Sequence, residues 1–249
     1  MTLFVDLHLL APIENEEAFL NMLSKARKLG YKLVASPLRF DVSEQKIKEV
    51  KSKAENSGLD FVSRVDLAPK NVSELLRMLR KFRRKFELIG VLCRYKDVAR
   101  CAARDRRVDL LCFPYVGRRF FDEAEAELAS SSLASLEIDM TPVIEFEGIK
   151  RIRLLSVLRM EIEIAFDYDV PVVISSGAYS EHLMRKPREY AALASLFDMP
   201  YEKALKCISE IPESIVFRNR EKLSPNYIAP GIRVVTVSYT HLRAHETEA

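Results

Sequence analysis

Seven times in succession, a short run of strand-forming residues is followed by a stretch with helical spacing. The strand-like runs are Phe4 to Ala11, Lys32 to Ser36, Asp60 to Ala68, Glu87 to Arg94, Asp109 to Pro114, Leu136 to Ile144 and Pro171 to Ser175. Between them lie helical stretches such as Glu14 to Leu29, ending at Gly30, and one capped by Asp41 or Ser43 that runs to Asn56. Others are capped by Asn71 or Ser73 and run to Lys85, or span Lys96 to Arg106, Asp122 to Ser130 and Ile149 to Tyr168. Parallel strands need crossovers of helix length, so this order predicts a parallel sheet. The even spacing, without a Gly-x-Gly-x-x-Gly turn, favours a distorted TIM-like (β/α) barrel with outer helices over an open sheet. The stretch Ser214 to Leu223 reads equally as strand or helix, leaving an eighth unit open.

A length of 249 residues with 48% hydrophobic content suits one barrel domain. No Gly/Ser linker divides residues 1–235, which we read as that domain. Residues 236–249, Thr236 to Ala249, resemble a translated sequencing adapter and are read as a non-native tail. No apolar run approaches the roughly 18 residues of a membrane span, and the N-terminus has no signal-peptide pattern. The expectation is a soluble, cytoplasmic protein. Cys93, Cys101, Cys112 and Cys207 form no C-x-x-C pair and are expected to be reduced core thiols.

The net charge of +3 conceals two regions of opposite sign. From Arg77 to Arg107 there are twelve Lys/Arg against three Asp/Glu, a local net of +9. From Phe121 to Val170 there are four against twelve, a local net of −8. The basic region predicts a polyanionic partner. Its core is the helix after Ser73, where Arg77, Arg80, Lys81, Arg83 and Arg84 surround an apolar stripe of Leu75, Leu79, Phe82 and Phe86. The acidic region is expected to face solvent or a protein partner, with Glu161 and Glu163 as its test positions.

Asp6-Leu7-His8-Leu9 resembles half of the D-x-H-x-H motif of polymerase-and-histidinol-phosphatase-type metal hydrolases, with Leu10 where the second histidine belongs. Outside the tail only His8 and His182 remain, too few for a multinuclear centre. No metal site and no catalytic residues are expected. The alternative reading is a metal-dependent phosphoesterase using Asp6 and His8; a third is a sugar-phosphate barrel enzyme. Ser175-Ser176-Gly177, at a strand end ahead of His182, Arg185, Lys186 and Arg188, reads as a possible phosphate turn.

The segment Val172 to Leu223 resembles the ribonuclease P protein component 3 family, the archaeal and eukaryotic p30-type subunits. The matching residues are Ser175, Ser176, Gly177, Lys186, Pro187, Arg188, Ser209, Pro212 and Arg218-Asn219-Arg220. Leu136-Glu137-Ile138 through Pro142 and Val108 to Leu111 with Pro114 add to it. Asp198 departs from the pattern, which has Gly there in many relatives. The resemblance implies a barrel without the metal site, acting as an RNA-binding subunit of ribonuclease P. Such a subunit supports 5′-leader removal from precursor tRNA together with component 2. Expected partners are the ribonuclease P RNA, component 2, other protein subunits and, indirectly, precursor tRNA. The protein needs no cofactor; Mg²⁺ is used by the RNA. Expected RNA contacts are Arg64, Arg94, Arg100, Arg118, Arg185, Lys186, Arg188 and Arg218.

Overall fold

A computed structural model describes residues 2–115, 120–229 and 232–233. Arg118 and the tail from Thr236 lie outside them. Seven parallel strands pair in sequence order: β1 (Val5–Asp6), β2 (Leu33–Pro37), β3 (Asp60–Leu67), β4 (Leu88–Leu92), β5 (Leu110–Cys112), β6 (Ser135–Asp139) and β7 (Val172–Ser175). Main-chain bonds bring the ends together. The Leu10 N–H donates to the Ala178 carbonyl, and the Gly177 N–H to the His8 carbonyl, both at 2.9 Å. The result is a nearly closed barrel, as the strand–helix alternation predicts.

The outer helices are α1 (Glu16–Leu29), α2 (Glu44–Asn56), α3 (Val72–Phe82), α4 (Lys96–Arg104), α5 (Glu123–Ser130), α6 (Thr141–Glu145), α7 (Gly148–Asp167), α8 (Pro187–Leu193), α9 (Tyr201–Cys207) and α10 (Glu210–Leu223). Side-chain oxygens of Asn15, Ser43, Asn71 and Asp122 cap the first turns of α1, α2, α3 and α5. The ambiguous stretch Ser214 to Leu223 is thus helical, inside α10. The expected strand Leu136 to Ile144 is cut short. Pro142 sits in the first turn of α6, where its fixed φ suits a helix start.

Two cores follow from strand alternation. Val5, Leu7, Leu33, Ala35, Val62, Leu88, Leu110 and Val173 fill the barrel, and Ile215 and Val216 of α10 join them. A larger layer, including Phe19, Phe61, Leu75, Leu79, Phe86 and Leu136, packs between strands and helices. The four cysteines are free thiols; Cys93, Cys101 and Cys207 are buried and Cys112 half-buried.

The end of the barrel at which β3 and β4 begin is tied down by ions. Arg220 of α10 forks onto both Asp60 oxygens at 2.6 and 2.7 Å and donates to Glu87 at 2.8 Å. Lys51 meets Glu87 at 2.7 Å and Arg83 meets Asp109 at 2.5 Å.

Candidate functional site

The inward parity of β3 continues past Val62 to Arg64 and Asp66. Parity on β6 carries Glu137 and Asp139 toward the same end. Together with His8 they form a charged plug above the apolar interior. Arg64 is fully buried, the largest such side chain among the described residues. Its Nη1 and Nη2 each donate to Glu137 at 2.6 Å, its Nε donates to Asp66 at 2.7 Å, and Nη1 also reaches the Leu7 carbonyl at 2.7 Å. His8 bonds through Nδ1 to both Asp139 oxygens at 2.8 and 2.9 Å, and Nε2 lies 3.3 Å from Asp66. The Ser175 hydroxyl and the Cys112 thiol donate to Glu137 at 2.8 and 3.1 Å.

The network is close to self-neutralising. Burial and the Arg64 charge pull His8 down, but Asp139 and Asp66 outweigh both, and its pKa is pushed up to about 10. Burial opposes ionisation of Glu137, and the crowding of protein around Asp66, whose side chain is still about a third exposed, opposes it there; Arg64 beside each holds both below the usual carboxylate range. Burial pushes Asp139 up, against the pull of His8. Burial raises Asp6 too; one of its oxygens accepts from the Ser176 and His8 N–H groups, while Oδ2 is buried without a partner among the described residues.

An imidazole beside several carboxylates is a possible metal donor set, so its fit must be tested. Donor atoms of His8, Glu137 and Asp139 lie within 4.8 Å of one another. Their lone pairs are already committed. Both Glu137 oxygens accept from Arg64, Asp139 accepts from His8, and an imidazolium has no lone pair to give. The guanidinium stands where a second positive charge would be repelled. The residues as arranged do not fit a metal.

Glycines confirm how tightly the plug is drawn. A Cβ at Gly90 would stand 2.5 Å from Asp66 Oδ1 and 3.1 Å from Arg64 Nη2. Gly177, at φ +59°, would drive a Cβ to 2.8 Å from that of Asp139. Ser175-Ser176-Gly177 is therefore not a phosphate turn. Ser175 and Ser176 are buried, the Ser176 N–H is spent on Asp6, the Gly177 N–H on His8, and the Ala178 N–H on the Ser176 hydroxyl at 3.1 Å.

The expected RNA contacts separate into groups. Arg64 is corrected outright: a fully buried guanidinium saturated by carboxylates reaches no phosphate. Arg218 is half-buried on Asp109 at 3.5 Å, while burial lowers its pKa. It shares the ion-tied end with Arg220, away from the plug. Arg94 follows β4, and Arg185, Lys186 and Arg188 follow β7, so these sit at the plug end. Lys186 and Arg188 are exposed; half-buried Arg185 donates to the His182 and Met184 carbonyls at 2.6 and 3.0 Å. Arg100 is exposed on α4, 3.9 Å from Glu125. The acidic stretch is corrected as well. Glu161 is buried and accepts from the Phe121 N–H at 2.8 Å, and Glu125 is buried, so neither is a surface contact; Glu163 is exposed. Asp198 adopts φ +61°, which explains why a glycine suits that turn.

Asp66 and Asp139 were not singled out in the sequence and Glu137 entered only within the family resemblance, although charged residues within apolar strands at a common parity were the available signal.

Taken together, these features define a (β/α)-barrel protein whose mouth is closed by its own ion pairs and whose outer helices carry a strong basic face. A family model described as RNase P subunit p30 matches residues 3–224. A ribonuclease P protein component 3 from Methanosarcina barkeri is 30% identical over 93% of this chain and 95% of its own length. A chain in the cryo-EM structure of archaeal ribonuclease P with mature tRNA superposes with TM-score 0.81 at 23% identity, over 94% of this chain and 99% of that one. A prolidase crystal structure follows at TM-score 0.60 and 13% identity, over 94% and 78%, which shows shared fold alone. The chain belongs to the RNase P subunit p30 family, and so is a protein subunit of the complex that matures tRNA.

Proposed function

We propose that this subunit binds the ribonuclease P RNA through the outer face of α3 and α4 and so supports removal of the 5′ leader from precursor tRNA. The observation that carries this reading is the charge of that face. The two helices are neighbours. Arg77, Arg80 and Lys81 of α3, Arg84 just beyond it, and Lys96, Arg100 and Arg104 of α4 are all exposed. Among the described residues, Arg84, Arg94, Lys96 and Arg104 have no carboxylate within ion-pair distance. Arginines held on rigid helices suit backbone recognition of structured RNA, which positions without reading sequence. Component 2 and the other protein subunits complete the assembly, precursor tRNA is met indirectly, the RNA's Mg²⁺ does the chemistry without a cofactor on this chain, and the setting is cytoplasmic. Among the described residues no helix is long and apolar enough to cross a membrane, which agrees.

Reconstitution tests this. Precursor-tRNA cleavage by the RNA with component 2 should rise when this chain is added. The triple variant Arg80→Glu, Arg100→Glu, Arg104→Glu should lose that stimulation. Its RNA affinity should also depend less on salt, by roughly 0.7–0.9 log units per log salt for each lost phosphate contact. Full stimulation by the variant would overturn the assignment of this face.

A further inference from the structure

We infer that the Arg64 guanidinium is a built-in cation beside a latent divalent-metal site, and that removing it lets His8, Glu137 and Asp139 hold a metal ion. Three features of the geometry carry this. The first is connectivity. Arg64 bonds Glu137 of β6, Asp66 of its own strand β3 and the main chain at Leu7, and its Nη2 lies 3.7 Å from Cys112 Sγ of β5. A single cation thereby joins strands from around the barrel, which is the task a metal performs when its ligands come from several strands.

The second is spacing. One donor atom each from His8, Glu137 and Asp139 lies within 4.8 Å of the others, close to what one ion needs with ligand bonds of roughly 2.0–2.2 Å. The third is the room kept around the guanidinium. Gly90 has no Cβ, and one placed there would strike Asp66 and crowd Arg64. The site is built around a cation, and that cation is covalently part of the chain. An imidazole and two carboxylates, with water completing the shell, form a borderline donor set that Zn²⁺ or Mn²⁺ would accept. His8 would give up its proton on binding, so uptake releases acid.

The test uses the full chain and each metal alone. Wild type, desalted after incubation with Zn²⁺ or Mn²⁺, should retain no stoichiometric ion, and its thermal midpoint should be unmoved by chelator. Arg64→Ala should melt lower, retain one ion per chain, and regain about 5–10 °C at a hundredfold excess of metal over Kd. Arg64→Ala combined with Asp139→Asn should lose that recovery, which separates the mouth from adventitious binding elsewhere. Arg64→Lys, which keeps a charge in place, should fold and take up no metal. One ion per wild-type chain held at the mouth would overturn the inference. So would an Arg64→Ala chain that gains no stability and no ion from either metal, whether folded or not. Because the readout is metal content of the isolated subunit, failure here leaves the RNA-face proposal untouched, and the converse holds.

Discussion

His8 offers the sharpest physical test of the plug. Its ring faces Asp139 through Nδ1 and Asp66 through Nε2, with the Arg64–Glu137 pair beside it. Its folded-state pKa of about 10 lies above the value of about 6.5 for an exposed histidine. A raised folded-state value means the protonated ring stabilises the fold fully below the unfolded pKa. That contribution is lost as pH rises toward the folded value. Linkage limits the loss to about 1.4 kcal/mol per pH unit for one proton. Integrated from pH 6 to pH 8, the two values give a loss of about 2 kcal/mol. The upper limit matters, because half-buried Cys112 and buried Cys207, with raised pKa values, add their own alkaline slope once unfolded thiols ionise near pH 8.5. Urea unfolding of wild type and His8→Gln at half-unit intervals isolates the term. Wild type should lose about 2 kcal/mol more than the variant across this window, or about 4–8 °C of Tm for a domain of this size. Parallel slopes would refute an imidazolium held between Asp66 and Asp139.

Three further outcomes follow from the same structure. Glu137→Gln strips the buried Arg64 of half its charged acceptors and should cost about 3–5 kcal/mol in urea unfolding, the range for breaking a buried pair; a cost below 1 kcal/mol would mean the pair is dispensable. Gly90→Ala forces a Cβ against Asp66 and should cost about 1–3 kcal/mol by overpacking, with the largest loss near neutral pH where the ion pair is intact. Asp169, exposed at φ +55° after α7, should gain about 0.5–1 kcal/mol when changed to Gly, seen as a rise in Tm; a fall would show that its carboxylate has an unrecognised role.

Much of the architecture was legible before any coordinates. The strand–helix alternation, Gly30 as a C-cap, Asn71 as an N-cap and Pro187 at a helix start are local choices, set by backbone sterics and neighbouring residues. The basic face on α3 and α4 was equally readable, since a charge on an outer helix has little to do but meet solvent or a partner.

Sequence could not reveal which charges face inward. Arg64 and Arg94 look alike as basic residues near strand ends, yet one is fully buried and the other exposed. Their fates part because barrel closure brings Glu137, 73 positions away, to 2.6 Å from Arg64, while among the described residues nothing comparable reaches Arg94. Ser175-Ser176-Gly177 shows the same limit: its donors were visible, but the acceptors that consume them, Asp6 and the His8 carbonyl, come from the other end of the domain. Local conformation follows from nearest neighbours along the chain; the pairing of buried charges depends on contacts that exist only once the barrel has closed.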